Sequence, residues 1–140
     1  MRSLDNKTIF SFQGNADMPA WAVGIDTRYA EPRDIPVKMR NFCDWLNADE
    51  SLALPIAELV CRAHFFLAEI HPFADGNGRT ARLLMNLLLI RKGYPIAIIR
   101  NRDRDTYLDA RANAATGNFH PFEELVTEAI SELLRRDIST

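Results

Sequence analysis

Between two strongly apolar runs, His71 to Arg82 (HPFADGNGRTAR) gathers a histidine, a carboxylate, two glycines and two arginines. Pro72 disfavours helical geometry in the residue before it, so the helix expected upstream must end at His71. Another helix must begin near Arg79, which makes Asp75-Gly76-Asn77-Gly78 a tight loop feeding a helix N-terminus. Such a terminus carries unpaired N–H groups and about half a positive charge, and so favours an anion. The glycines let the backbone approach a ligand closely and turn its N–H groups inward. Arg79 and Arg82 share one face of the first helical turn. Cations there are unfavourable unless something negative sits beside them. The arrangement asks for phosphates. Asp75 is a hard oxygen ligand for Mg²⁺, which binds through one or two carboxylates plus substrate phosphates. His71 has the chemistry of a general base near neutral pH. Base, metal carboxylate, anion nest and arginines are the parts of a phosphoryl or nucleotidyl transfer site.

The chain holds its own control. The tripeptide recurs at His120-Pro121-Phe122, without the glycines or arginines that follow the first copy. A helix start with Pro121 in its first turn and Phe122 packed inward is the expectation there. Asp-Gly-Asn-Gly alone would be an ordinary turn, and two arginines alone a solvated face. At 71–82 all the parts stand together in order.

The elements that must position these residues are mostly helical. Residues 1–19 read as an N-terminal arm, broken by Gln13, Gly14, Asn15 and Pro19. In AWAVGIDTRY, residues 20–29, Trp21, Val23 and Ile25 alternate with the period of a half-buried strand, and a short hairpin is expected. After Pro36, Val37, Met39 or Arg40, Phe42 or Cys43, and Leu46 suit an amphipathic helix. Pro55 opens the next, with Ile56, Leu59, Val60, Ala63, Phe66, Leu67 and Ile70 on one face. Beyond the polar interruption, RLLMNLLLIRKG is apolar nearly all round, which predicts the buried central helix, ended by Lys92-Gly93. YPIAII is a connector. Helices follow over about 103–115 and 121–136, the last with Phe122, Leu125, Val126, Ala129, Ile130 and Leu133 inward.

Bulk properties narrow the class. The 140 residues fit one hydrophobic core, 47% of them apolar and 26% charged. Seventeen basic against nineteen acidic residues give a net charge of −2, which argues against nucleic acid as a partner. Cys43 and Cys61 fall in helical apolar patterns and are expected as reduced, buried thiols. No segment has the length of a membrane span, and the first residues lack the apolar run of a signal peptide. A soluble, cytoplasmic protein without a membrane partner is the expectation.

The run at 71–82 resembles the motif of the Fic domain family, His-Pro-Phe-x-(Asp or Glu)-Gly-Asn-Gly-Arg-x-x-Arg, at every fixed position. The resemblance extends to WLN at 45–47, AHFFLAEIHPF at 63–73, GYPIAII at 93–99 and GNFHPF at 117–122, covering roughly residues 20 to 136. It implies a mainly α, compact helical bundle over 20–140 with a short β-hairpin flap near the N-terminus, about residues 20–30. It further implies a protein adenylyltransferase that moves AMP from ATP to a Ser, Thr or Tyr hydroxyl of a target protein, with Mg²⁺, releasing pyrophosphate. His71 would be the catalytic base and Asp75 the metal ligand. Gly76, Asn77 and Gly78 would form the anion hole, with Arg79 and Arg82 on the phosphates. Phe73 would anchor the loop in the core, and Tyr107 would line the nucleoside pocket. The flap around Val23 and Ile25 would hold the target segment by strand addition.

The chain also departs from the family. Helices usual before the flap are missing, and the residues around Ala114-Ala115 lack a polar side chain that some relatives place near the base. No Glu is followed by Gly or Asn, so the family's inhibitory motif is absent from these 140 residues. A small inhibitory partner supplying a Glu to Arg82 would fill that role. The competing readings are a Fic-type transferase moving UMP, phosphate or phosphocholine, and a regulatory nucleotide-binding module without chemistry. The intact Gly-Asn-Gly-Arg core favours AMP, and His71 speaks against simple binding, which needs no base.

Overall fold

The computed structural model describes residues 31–139, so the expected arm at 1–19 and the flap with Val23 and Ile25 lie outside the described residues. A short 3₁₀ turn, Pro32–Asp34, leads into α1 (Ile35–Asn47), and a four-residue helix α2 (Asp49–Leu52) follows. Then come α3 (Ile56–Ile70), α4 (Asn77–Arg91), a second 3₁₀ turn (Asn101–Asp103), α5 (Arg104–Ala115) and α6 (His120–Ser139). No strand occurs among the described residues.

The buried centre is α3, not α4 as the leucine run suggests. Every residue from Leu59 to Ile70 is buried, and α3 packs against α1, α4 and α6. In α4 only one side is covered, by way of Ala81, Met85, Leu88 and Leu89, whereas Leu83 is 71% exposed and Leu87 and Ile90 share its outer face. The physical reason lies in the polar residues of α3. Arg62, His64 and Glu69 make that helix look amphipathic, yet all three are buried with partners. Arg62 donates to Glu58 Oε1 at 2.8 Å and lies 4.9 Å over the Phe119 ring. Arg111 donates to Glu69 Oε1 at 2.8 Å, and His64 meets Tyr107.

In α1 the inward residues are Phe42 and Trp45, with Ile35, Met39 and Leu46 packed alongside, while Val37 is exposed. Trp45 stands edge-on to Phe66 at 5.2 Å, and Phe119 edge-on to Phe65 at 5.5 Å, geometries that aromatic pairs prefer. Cys61 is buried as expected, but Cys43 is exposed, and neither is in a disulfide. The α4 terminus follows the sequence reading: Gly93 takes φ 84°, its N–H bonds Ile90 O at 3.0 Å, and the Tyr94 N–H bonds Leu89 O at 2.9 Å. This is the paired closure that a left-handed residue past a helix end provides. The connector that follows is held by Asn86, whose Oδ1 accepts from the Ala97 N–H at 2.8 Å.

Candidate active site

The loop between α3 and α4 is built by two left-handed residues. His71 caps α3 with φ 54° and ψ 57°, the one non-glycine residue with positive φ among those described. Such a conformation costs a β-carbon-bearing residue of order 1–3 kcal/mol and persists only where the surroundings enforce it. Pro72 supplies part of that enforcement by closing the right-handed helical region to the residue before it. The His71 N–H still bonds Leu67 O at 3.1 Å, so α3 holds the histidine backbone at its very end. His71 is half-buried.

Gly76, with φ 78°, is the second left-handed residue and starts α4. No side chain caps this helix start. The Asp75 carboxylate accepts from the Gly76 N–H at 2.8 Å through Oδ1, and Oδ2 lies 3.6 Å from Arg79 Nη2. The Asp75 side chain is 94% exposed and Arg79 75%, so this ion pair is open to a competing ligand. Both arginines fold back over the loop. A β-carbon added at Gly76 would meet Arg79 Nη2 at 3.2 Å, and one added at Gly78 would meet Arg82 Nη1 at 3.4 Å. At Gly76 the added carbon would crowd the guanidinium by a few tenths of an ångström, whereas at Gly78 it would make an ordinary contact, so the two guanidinium groups lie close to the first turn at the positive end of the helix. Two cations against that end form a centre whose natural complement is a polyanion.

Asn77 has another task. Its Oδ1 accepts from the Phe73 N–H at 2.9 Å and its Nδ2 donates to Phe73 O at 2.8 Å, so the buried amide clamps the loop shut. Any contribution of Asn77 to a ligand is left to its backbone N–H. Phe73 itself is 50% exposed, which corrects the expectation that its ring anchors the loop in the core; the Asn77 clamp does that. Thr80 adds a further tie, its hydroxyl donating to Gly76 O at 2.9 Å.

Tyr107 lies on α5, outside the loop, and its hydroxyl is 3.1 Å from His64 Nε2. Arg111, one turn further, lies 5.9 Å over the Tyr107 ring and pairs with Glu69, two residues before His71. Sequence reasoning passes over His64, Glu69 and Arg111. Their signal is faint: polar residues inside an otherwise apolar helix, with partners more than forty positions away. Burial strips His64 of the hydration its charged form needs, and Arg111 and Arg82 repel that form, so its pKa is pushed down to about 3.

The second tripeptide behaves as its control role requires. His120 starts α6, pairs with Glu124 at 2.9 Å on the surface, and Phe122 is fully buried. For a metal, the described residues hold no cluster of three or more His, Cys, Asp or Glu. The lone, exposed Asp75 fits the mode in which Mg²⁺ arrives with substrate phosphates, not an all-protein cage. No helix among the described residues is long and apolar enough to cross a membrane.

Comparison with known proteins agrees with this geometry. The model of the Fic/DOC family matches residues 8–89. Among similar proteins are those named protein adenylyltransferase Fic from Culex quinquefasciatus, 42% identical over 103 residues, and from Drosophila willistoni, 43% identical over 103 residues. Each alignment takes in 74% of this chain but 21% of the relative, so the chain spans about a fifth of their length. Of solved structures, C. elegans Fic-1 (residues 134–508) superimposes with a TM-score of 0.73 at 34% identity, covering 81% of this chain and 35% of that one. A Fic domain containing signaling protein from Bacteroides thetaiotaomicron gives 0.59 at 32% identity, covering 75% and 42%. With its motif loop, its helical frame and a family match across more than half of its length, this chain belongs to the Fic/DOC family.

Proposed function

We propose that the chain is a protein adenylyltransferase, transferring AMP from ATP to a hydroxyl of a target protein. The observation that carries this reading is the loop at 71–82: a histidine held in a left-handed cap faces the same short loop as an uncapped helix start with two arginines folded over its glycines. The names of the relatives agree with it.

In this reading the triphosphate lies against the α4 N-terminus, with the Gly76–Gly78 backbone, Arg79 and Arg82 on its oxygens. Asp75, only weakly paired with Arg79, would be the residue to hold Mg²⁺ accompanying the nucleotide. That ion would neutralise charge on the phosphates. His71 takes the proton from the target hydroxyl. The hydroxyl oxygen then bonds the α-phosphorus, the bond from that phosphorus to the oxygen bridging the β-phosphate breaks, and pyrophosphate leaves. Tyr107 contributes to the nucleoside side of the site. The target segment docks on the expected flap around Val23 and Ile25. A cytoplasmic setting completes the proposal.

The test is incubation of the chain with Mg²⁺, a lysate and ATP labelled at either the α- or the γ-phosphate. Protein labelled from α-labelled ATP only is the expected result. Label from the γ-position would indicate phosphate transfer, and bound but untransferred nucleotide a binding module. Asp75→Ala should remove the Mg²⁺-dependent labelling; normal labelling by that variant would remove the carboxylate from the mechanism.

A further inference from the structure

Glu69 stands where local physics disfavours it. It lies in the last turn of α3, at the end of a helix that carries about half a negative charge, and it is 8% exposed. A carboxylate in both circumstances persists only when paired and hydrogen-bonded. The partner comes from another helix. Arg111 of α5 donates from Nη2 to Glu69 Oε1 at 2.8 Å, and its own side chain is 24% exposed. The same guanidinium lies 5.9 Å over the ring of Tyr107, one turn back on α5, which steers it. Tyr107 in turn meets His64 of α3. Two successive turns of α5 thus hold α3 at two points, and Glu69 is the one nearer its end.

That end is where the site needs rigidity. His71, two residues on, has φ 54°, a conformation that lasts only where the surroundings over-determine it. Pro72 closes the right-handed region to it and Leu67 O holds its N–H. Neither fixes where the last turn of α3 lies against the rest of the fold, and helix ends, with carbonyls unmet inside the helix, fray. A charge-assisted bond from an arginine fork has direction as well as strength, so it fixes that turn in a way an apolar contact does not. We infer that Glu69 and Arg111 are a positioning pair: by tying the last turn of α3 to α5 they hold His71 in the left-handed cap from which its imidazole acts. The task of His71 rests on the transfer reading above; the tie rests on the geometry.

The experiment uses the full 140-residue chain. Arg111→Met keeps an unbranched stem and removes the bond. It should lower kcat for AMP transfer by about ten- to a hundredfold, the scale of a reacting group misplaced by about an ångström. KM for ATP should stay within about twofold, because Asn77 to Arg82 belong to α4. Arg111→Lys, which keeps a cation within reach of Glu69, should recover most of kcat. Since Arg111→Met also strands a buried carboxylate, the double variant Glu69→Met with Arg111→Met is the sharper test. An apolar pair of similar volume generally keeps or raises stability. The urea midpoint of the double variant should therefore match or exceed wild type while its kcat stays low. In NMR spectra of the wild-type chain, a strong intraresidue contact between the His71 amide and α-protons reports positive φ, and it should weaken in both Met variants. A double variant with wild-type kcat, equal losses in kcat and ATP affinity, or an unchanged His71 signal would each overturn the inference. A wild-type chain that transfers no AMP would remove the transfer reading alone, and the His71 signal would still decide the tie.

Discussion

Histidine occurs three times in this chain, and at each residue the surroundings set a different role. His71 is held by backbone, in a left-handed cap between α3 and a proline. His71→Ala should leave ATP binding near wild type, because the imidazole acts on the incoming hydroxyl and not on the phosphates. Transfer should fall by about 10²–10⁴-fold, the usual contribution of a positioned base. His120→Ala, exposed on α6, should retain transfer, and an equal loss in that variant would show that the base lies elsewhere. His64 is held by burial, and its role shows in stability. Desolvation first, then Arg111 and Arg82, push its pKa down to about 3 from an ordinary 6.5. In the unfolded chain the ring takes a proton near its ordinary value; in the folded chain it stays neutral until about 3. The unfolded state thus binds more protons between those values, so stability is greatest above the ordinary value and falls as pH drops towards 3. The slope from this one group approaches about 1.4 kcal/mol per pH unit. Urea unfolding between about pH 7 and about pH 4 should show a flatter loss in His64→Gln than in wild type. Parallel curves would mean that His64 does not carry the acid sensitivity.

At the scale of elements, the helix positions were legible and the inward faces less so. Pro36, Pro55 and Lys92-Gly93 mark ends because proline and glycine act locally, and α1, α3 and α4 begin or end within a residue or two of them. Burial is not local. The run Leu83 to Ile90 is apolar on both sides of α4, so periodicity has no way to choose a face, and the covered one is set by where α3 lies. In α3 the polar residues mislead for the opposite reason: Glu69 and His64 look solvent-facing until α5 supplies Arg111 and Tyr107. The candidate site was legible as a string because its parts adjoin in sequence. Its geometry was not, since the Asn77 clamp and the exposed Phe73 depend on how the loop closes. The face assignment has a direct check. Met85→Ala, fully buried, should cost about 2–5 kcal/mol in chemical denaturation, as truncation of a core methionine does. Leu83→Ala, at 71% exposure, should stay within about 0.5 kcal/mol of wild type. Equal losses would place Leu83 against protein and return α4 to the centre.

Across the whole molecule, one helix joins the core to the chemistry. The hub α3 is buried from Leu59 to Ile70 among α1, α4 and α6, ends at His71, and is tied to α5 through Glu69 and His64. The motif loop is thereby held by the most buried part of the fold, while its cationic face, Arg79 foremost, stays open. That openness bears on control. The family's inhibitory device is a glutamate directed at the arginine that ends the motif, here Arg82, and no Glu of these 140 residues is followed by Gly or Asn. A glutamate set in that motif would therefore have to come from a partner protein or from sequence beyond these residues. Such a contact could control the site almost completely, since truncating one member of a desolvated, hydrogen-bonded charge pair typically shifts binding by about 2–5 kcal/mol. The 140-residue chain by itself should accordingly bind ATP productively and modify itself or a bystander protein without an activator. Intact-mass measurement after incubation of the chain alone with ATP and Mg²⁺ should show added AMP. Silence that is relieved by changing another residue of this chain would reveal an internal brake and overturn the prediction.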